Sequence, residues 1–268
     1  MNYEQMSNNT LHLRGTIDSE PRFSHEVMGE GFYEVNLKVK RLSEQYDILP
    51  ITVSERLLAD CHAEIGREIS VYGQFRSYNK TDEEKSRLML TVFVREVGEP
   101  DEKQNPNIIT LTGYLCKPPV YRTTPFNREI ADMLIAVNRA YNKSDYIPCI
   151  AWGRNARFVK SLPVGEKITV SGRIQSREYQ KNIDGAIIVR TAYEVSINKI
   201  YTDADERPLE DGRVLREAGT AYLPNVESDA AFRIAADRRL DDAAYQPSAE
   251  NANQCADDAA CQTPGLTH

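Results

Sequence analysis

The segment DYIPCIAWG, residues 145–153, holds the clearest set of side chains able to grip a flat ligand. Side chains alternate across a strand. Ile147, Cys149 and Ala151 therefore share one face, apolar and of modest size, as a barrel interior requires. Tyr146, Pro148, Ile150 and Trp152 share the other. An outward face with two large aromatics calls for something to cover it. Nucleic-acid bases fit, because stacking on an aromatic is worth about 1–3 kcal/mol per base and tolerates any sequence. Charge sorts the same way. The whole chain is acidic, with 33 Lys+Arg, 40 Asp+Glu and a net charge of -7, which read alone argues against a phosphate backbone as partner. By segment, residues 1–102 hold 12 basic and 19 acidic residues, 103–200 hold 15 and 7, and 201–268 hold 6 and 14. The basic middle segment is the one that carries the aromatic strand. Aromatics among cations are what a stack-and-neutralise groove for single strands needs.

Other chemistries find less support. The five Cys (Cys61, Cys116, Cys149, Cys255, Cys261) include no C-x-x-C pair, and the four His are scattered, so neither a disulfide framework nor a metal site is expected. Cys149, between Pro148 and Ile150, reads as a small buried hydrophobe. There is no phosphate loop and no nucleophile elbow, so neither an enzyme nor a cofactor is expected. No apolar run approaches the roughly 20 residues of a membrane span. The opening MNYEQMSNNT lacks the marks of a secretory signal. A cytoplasmic, nucleoid-associated protein is the expectation.

The elements that must position these residues occur twice. LHLRGTI at 11–17 lies over ITLTGYL at 109–115, VNLKVKR at 35–41 over MLIAVNR at 133–139, and DILPITVSE at 47–55 over DYIPCIAWG, all at an offset of 98. After one inserted residue GREISVYGQ at 66–74 matches GEKITVSGR at 165–173. Asp47 falls on Asp145 and Pro50 on Pro148. Each repeat predicts a strand (10–17; 107–115), a Pro-rich charged loop, two strands (32–41 and 46–53; 130–139 and 145–152), a short helix (55–66; 153–165) ending at a Gly, and two more strands (68–77 and 87–97; 167–177 and 187–198). That order is the five-stranded OB-fold barrel. The predicted architecture is all-β: an OB domain over 1–100, a linker at 101–107, a second OB domain over 107–200, and an acidic, mostly disordered tail over 201–268.

The motifs GYLCKPPVY, IAVNRAY, DYIPCIAWG, LPVGEKITVSGRIQSREY and RTAYEVSINKI resemble bacterial single-stranded-DNA-binding (SSB) proteins over nearly all of 107–200. The first repeat matches in skeleton and weakly in motif. The tandem arrangement is similar to SSBs with two OB domains per chain, which implies a homodimer with four such domains. The resemblance places base-stacking aromatics at Tyr141, Tyr146, Trp152 and Tyr179, and phosphate-binding partners at Arg139, Arg154, Arg173 and Arg177. It also implies single-stranded DNA as the ligand, in replication, recombination and repair. The family's loop Gly is missing from KPPVYRTTPFNREI. The first repeat has Ser43, Ile48 and Ser54 at three aromatic positions and keeps the fourth as Tyr78. The chain closes on TPGLTH instead of the family's acidic Pro-Phe tip, which leaves tip-mediated recruitment of replication and repair proteins without its usual means.

The first repeat, acidic and short of platforms, is therefore expected to serve structure or oligomerisation, with Tyr46, Tyr78 and Arg76 as weaker DNA contacts. The alternative is an OB-fold protein-interaction subunit of a replication-restart or recombination complex, with weak or RNA-directed binding.

Overall fold

The computed structural model describes residues 8–41, 43–82, 85–140, 143–183 and 186–202. The tail expected from residue 201 lies outside them, apart from Tyr201 and Thr202. In the first repeat β1 (Asn9–Ile17), β2 (Arg22–Val27), β3 (Glu30–Lys40) and β4 (Tyr46–Ser54) precede α1 (Glu55–Cys61), and β5 (Glu68–Asp82) and β6 (Lys85–Gly98) follow it. The second repeat copies the plan as β7 (Asn107–Leu115), β8 (Val120–Thr123), β9 (Glu129–Asn138), β10 (Ser144–Trp152), α2 (Arg154–Val159), β11 (Lys167–Ile183) and β12 (Ala186–Thr202).

Each repeat closes into a barrel. β1 runs along β5 from Leu11 to Thr16, then meets β3 at Thr16 and Ile17. The ring β3-β4-β6-β5-β1 thereby returns to β3, with β4 and β6 parallel. β7 bridges β11 and β9 in the same way. Alternation fills both interiors: Leu13, Leu37, Val39, Ile51 and Val92 in one, Leu111, Ile135, Ile147, Ala151 and Val170 in the other, all at most 1% exposed.

Three expectations are revised. The charged loops contain edge strands, β2 and β8, paired to β3 and β9, so each five-stranded ring carries one added edge strand. The last two strands run on as long two-stranded arms. The helices stop well before Gly66 and Gly165, which instead sit at positive φ in the following turn. The arms start at a bulge between Ser171 and Gly172, and at its twin between Tyr72 and Gly73. A Cβ on Gly172 would lie 2.1 Å from the Ser196 carbonyl oxygen, so the bulge admits only glycine.

The two barrels join along β1 and β7, which pair antiparallel from Asn9↔Leu111 to Leu13↔Asn107. Leu11 faces Ile109, its own counterpart at the offset of 98, so an approximate two-fold axis passes between them. The surrounding bonds obey it. Arg14 N donates to Pro106 O and Thr112 N to Asn8 O, both at 2.8 Å. Asn9 exchanges two bonds with the Phe75 backbone, and Asn107 exchanges two with Ile174. The contact is the isologous pattern of a homodimer, made within one chain.

Candidate nucleic-acid interface

β10 follows the expected alternation. Ile147, Cys149 and Ala151 are buried in the core, and burial pushes the Cys149 thiol well above its ordinary range. Tyr146, Pro148 and Trp152 are half-buried on the outer face. Ile150, expected beside them, is buried. Its strand is central, with β9 on one side and β12 on the other, and neighbours from both cover it. The register extends the face. Tyr146 lies opposite Ala136, Pro148 opposite Leu134, and Trp152 opposite Ile130. Ile130 and Leu134 are buried yet stand outside the core cluster. A mostly apolar stretch, interrupted by Asp132 in its bond with Arg122, thus runs opposite the two aromatics, outside the barrel.

One strand further on, across β12, β11 carries Arg173, Gln175, Arg177 and Tyr179 on one face of the strand. Tyr179 is half-buried opposite Arg190. Gln175 donates to Glu194 at 2.6 Å. Burial raises the Glu194 carboxyl above its ordinary value, while Arg177, its Nε 4.0 Å away, pulls it down. Arg154 is exposed at the start of α2, two residues after Trp152. Tyr141 lies outside the described residues. The structure therefore gathers Tyr146, Trp152, Tyr179, Arg173 and Arg177 on one outer face, sets Arg154 beyond its end, and carries Arg139 at the domain junction.

At that junction lie two residues without a role in the expectations above. Asp145, in β10, accepts from the Ser77 backbone N–H of the first domain at 2.7 Å, and Arg139 Nε stands 3.4 Å from its other oxygen. Ser77 Oγ accepts from the Tyr146 N–H at 2.8 Å. Asp47 makes the mirror contact with Ser176 N–H at 2.7 Å, and it also holds Arg41 by two bonds of 2.8 and 2.6 Å. Arg173 Nη1 approaches Asp47 at 3.5 Å. Arg139 and Arg173 thus take part in joining the domains. The signal for this was on view: Asp47 and Asp145 are anchors of the repeat.

The junction also corrects an alignment. Ser77 and Ser176 are equivalent, as are Gly73 and Gly172 at the bulges. Tyr78 therefore occupies the place of Arg177, and Lys80 that of Tyr179. All four aromatic positions of the second repeat are non-aromatic in the first. The first domain nonetheless bears aromatics on neighbouring strands of its outer face. Phe32 faces Ser54 across β3 and β4, where the second domain has Ile130 facing Trp152. Phe93 stacks on Phe32 with centroids 5.8 Å apart, and Arg76 lies 4.1 Å over Phe93. Tyr46 is 48% exposed under Lys38, and Tyr78 is 42% exposed with its hydroxyl 3.5 Å from Glu34. Phe32, Phe93 and Arg95 do not correspond to the second repeat's aromatic positions, and alternation along β3 and β6 is the signal that marks them as outward.

Residues 106–203 match the model of the Single-strand binding protein family. That match spans the second domain. Over 81 residues the chain is 38% identical to single-stranded DNA-binding protein 1 of Staphylococcus aureus, covering 28% of this chain and 48% of the relative. Over 98 residues it is 32% identical to the single-stranded DNA-binding protein of Halalkalibacterium halodurans, covering 34% and 58%. The chain thus spans about half the length of these curated relatives. The tandem fold is shared with the wild-type single-stranded DNA binding protein of Thermus aquaticus, at TM-score 0.53 and 21% identity over 72% of this chain and 92% of that one. A deletion mutant of the same protein gives 0.56 and 20%, over 75% and 97%. Among the described residues no cluster of His, Cys, Asp and Glu could hold a metal ion, and no helix is long and apolar enough to cross a membrane.

Proposed function

We propose that the chain binds single-stranded DNA without sequence preference, chiefly on the outer face of the second domain. The observation that carries this reading is the alignment of Tyr146 and Trp152 on one outer face, opposite the mostly apolar row of β9 and one strand away from the arginines of β11. Bases stack on Tyr146, Trp152 and Tyr179, with Tyr141 as the fourth platform, and Arg139, Arg154, Arg173 and Arg177 neutralise phosphates. No covalent step is assigned to the protein. The first domain acts mainly as a scaffold, pairing β1 with β7 and pinning β11 through Asp47. Covering strands exposed in replication, recombination and repair is the matching cellular role, in a cytoplasmic, nucleoid-associated homodimer of four barrels.

Trp152 is the single tryptophan of the chain, so its fluorescence reports on this face alone. Oligo-dT quenches it, with an affinity that falls as salt rises. Unquenched emission together with no binding at low salt would dispose of the reading.

A further inference from the structure

The two junction contacts enclose different charge balances, and one of them has cations to spare. Arg76 and Arg95 donate to the same acceptor, Gln74 Oε1, at 2.9 and 3.1 Å. Two guanidinium groups thus converge on one neutral oxygen. The residue after Arg76 is Ser77, whose N–H crosses the domain boundary to Asp145 and whose hydroxyl holds the Tyr146 N–H. These bonds bring Arg139 of the second domain to the same place, beside Asp145. The cluster holds three guanidinium groups and one carboxylate. That carboxylate is buried and gives one oxygen to the Ser77 amide. Burial first, and then the Arg139 charge, push Arg76 down to about 10, Arg95 adds to the effect, and Asp145 offsets only part of it. A site with surplus, converging N–H donors recruits an anion, and a phosphate is the anion that guanidinium groups match best.

We propose that Arg76, Arg95 and Arg139 form one backbone-phosphate site shared by the two domains, occupied by a DNA strand as it passes from the outer face of the second domain to that of the first. The inference rests on the DNA-binding reading above and gives the first domain a direct part in it. Tyr78, two residues beyond Arg76 on the same face of β5 and half exposed, lies next on the path.

The test uses the full chain and two lengths of oligo-dT. One is about 12 nucleotides, within the span of a single barrel, and the other about 35, long enough for two. Arg95→Gln changes an exposed side chain and leaves the fold intact; Arg76→Gln removes the central cation. Each should weaken the long oligonucleotide about tenfold and lower its log–log salt slope by about 0.7, the value of one phosphate contact. The short oligonucleotide should bind almost as before. Wild-type affinity and slope on both lengths would overturn the proposal, as would equal losses on both lengths. Trp152→Ala separates the two readings. It should weaken both lengths, and if it weakens neither, the DNA-binding face itself has been misplaced, whatever the arginines do.

Discussion

Asp47 and Asp145 occupy equivalent places in the two repeats, and each reaches across the pseudo-dyad to a serine amide of the other domain. Their remaining bonds differ. Asp47 is held by the Arg41 fork through both oxygens, by the Ser176 hydroxyl at 3.2 Å, and by Arg173. Asp145 has Arg139 at a single 3.4 Å approach. Arg41 extends the tight contact further, since its Nη2 also donates to the Ser176 carbonyl at 3.1 Å. One junction is a closed lock and the other an open one. The open one lies beside Tyr146, where the second domain's aromatic face begins. Duplication supplied a common frame, and divergence turned one of two symmetric contacts into structure while leaving cations available at the other.

The most severe way to break the comparison is to remove the two carboxylates in turn. Asp47→Ala strands two arginines and a backbone amide in a partly buried place and should cost about 3–5 kcal/mol. Asp145→Ala strands fewer partners and should cost about 1–3 kcal/mol. Urea unfolding of the full chain measures both. Equal losses would mean that the extra bonds of Asp47 add nothing.

The outer faces sharpen the comparison at the next level. Trp152→Ala should cost about 1–3 kcal/mol of DNA affinity, read by anisotropy of a labelled oligo-dT. Ser54→Ala, at the equivalent position of the first domain, should leave affinity nearly unchanged. Ser54 is buried beneath a face whose aromatic stands on the opposite strand, at Phe32. A matching loss at both positions would show that the two faces contact the ligand alike.

How far all this was readable in the sequence depends on what each feature needs. Strand order, the duplication and the inward row Ile147, Cys149, Ala151 follow from periodicity, which is local. β2 and β8 escaped because their residues are almost all exposed or half-exposed edge positions with no buried alternation to show. The candidate face was legible where two aromatics shared one strand. Its continuation was not, because Ile130 and Leu134 join it through cross-strand register alone. The junction required three dimensions. Asp145 and Ser77 are 68 residues apart, and nothing in composition says that one repeat's carboxylate caps the other repeat's strand edge. Net charge was the weakest guide to the first domain. That domain is acidic by count, yet its outer face sets Lys38, Lys40, Arg76 and Arg95 against Glu30 and Glu34.

The smallest expected effect concerns pH and the open junction. Burial raises the Asp145 carboxyl above its ordinary value of 3.8, against the pull of the Ser77 amide, Arg139 and Arg76. The folded state therefore holds a proton that the unfolded chain has already released over a window beginning near 3.8 and ending at the raised folded value. Where the folded state binds more protons, stability falls as pH rises. Asp145 therefore costs stability progressively across that window, and the full cost is present above it. Asp145→Asn keeps an oxygen for the Ser77 N–H and removes the titration. The variant also lacks the Arg139 ion pair, whose contribution follows the charge on Asp145 and therefore belongs to the same titration. Glu194 is raised in the same direction in both proteins and cancels in the difference. Subtracting the variant's urea stability from that of the wild type should therefore leave a curve that declines as pH rises through the window. A flat difference would mean that the Ser77 amide, Arg139 and Arg76 offset the burial of Asp145 in full.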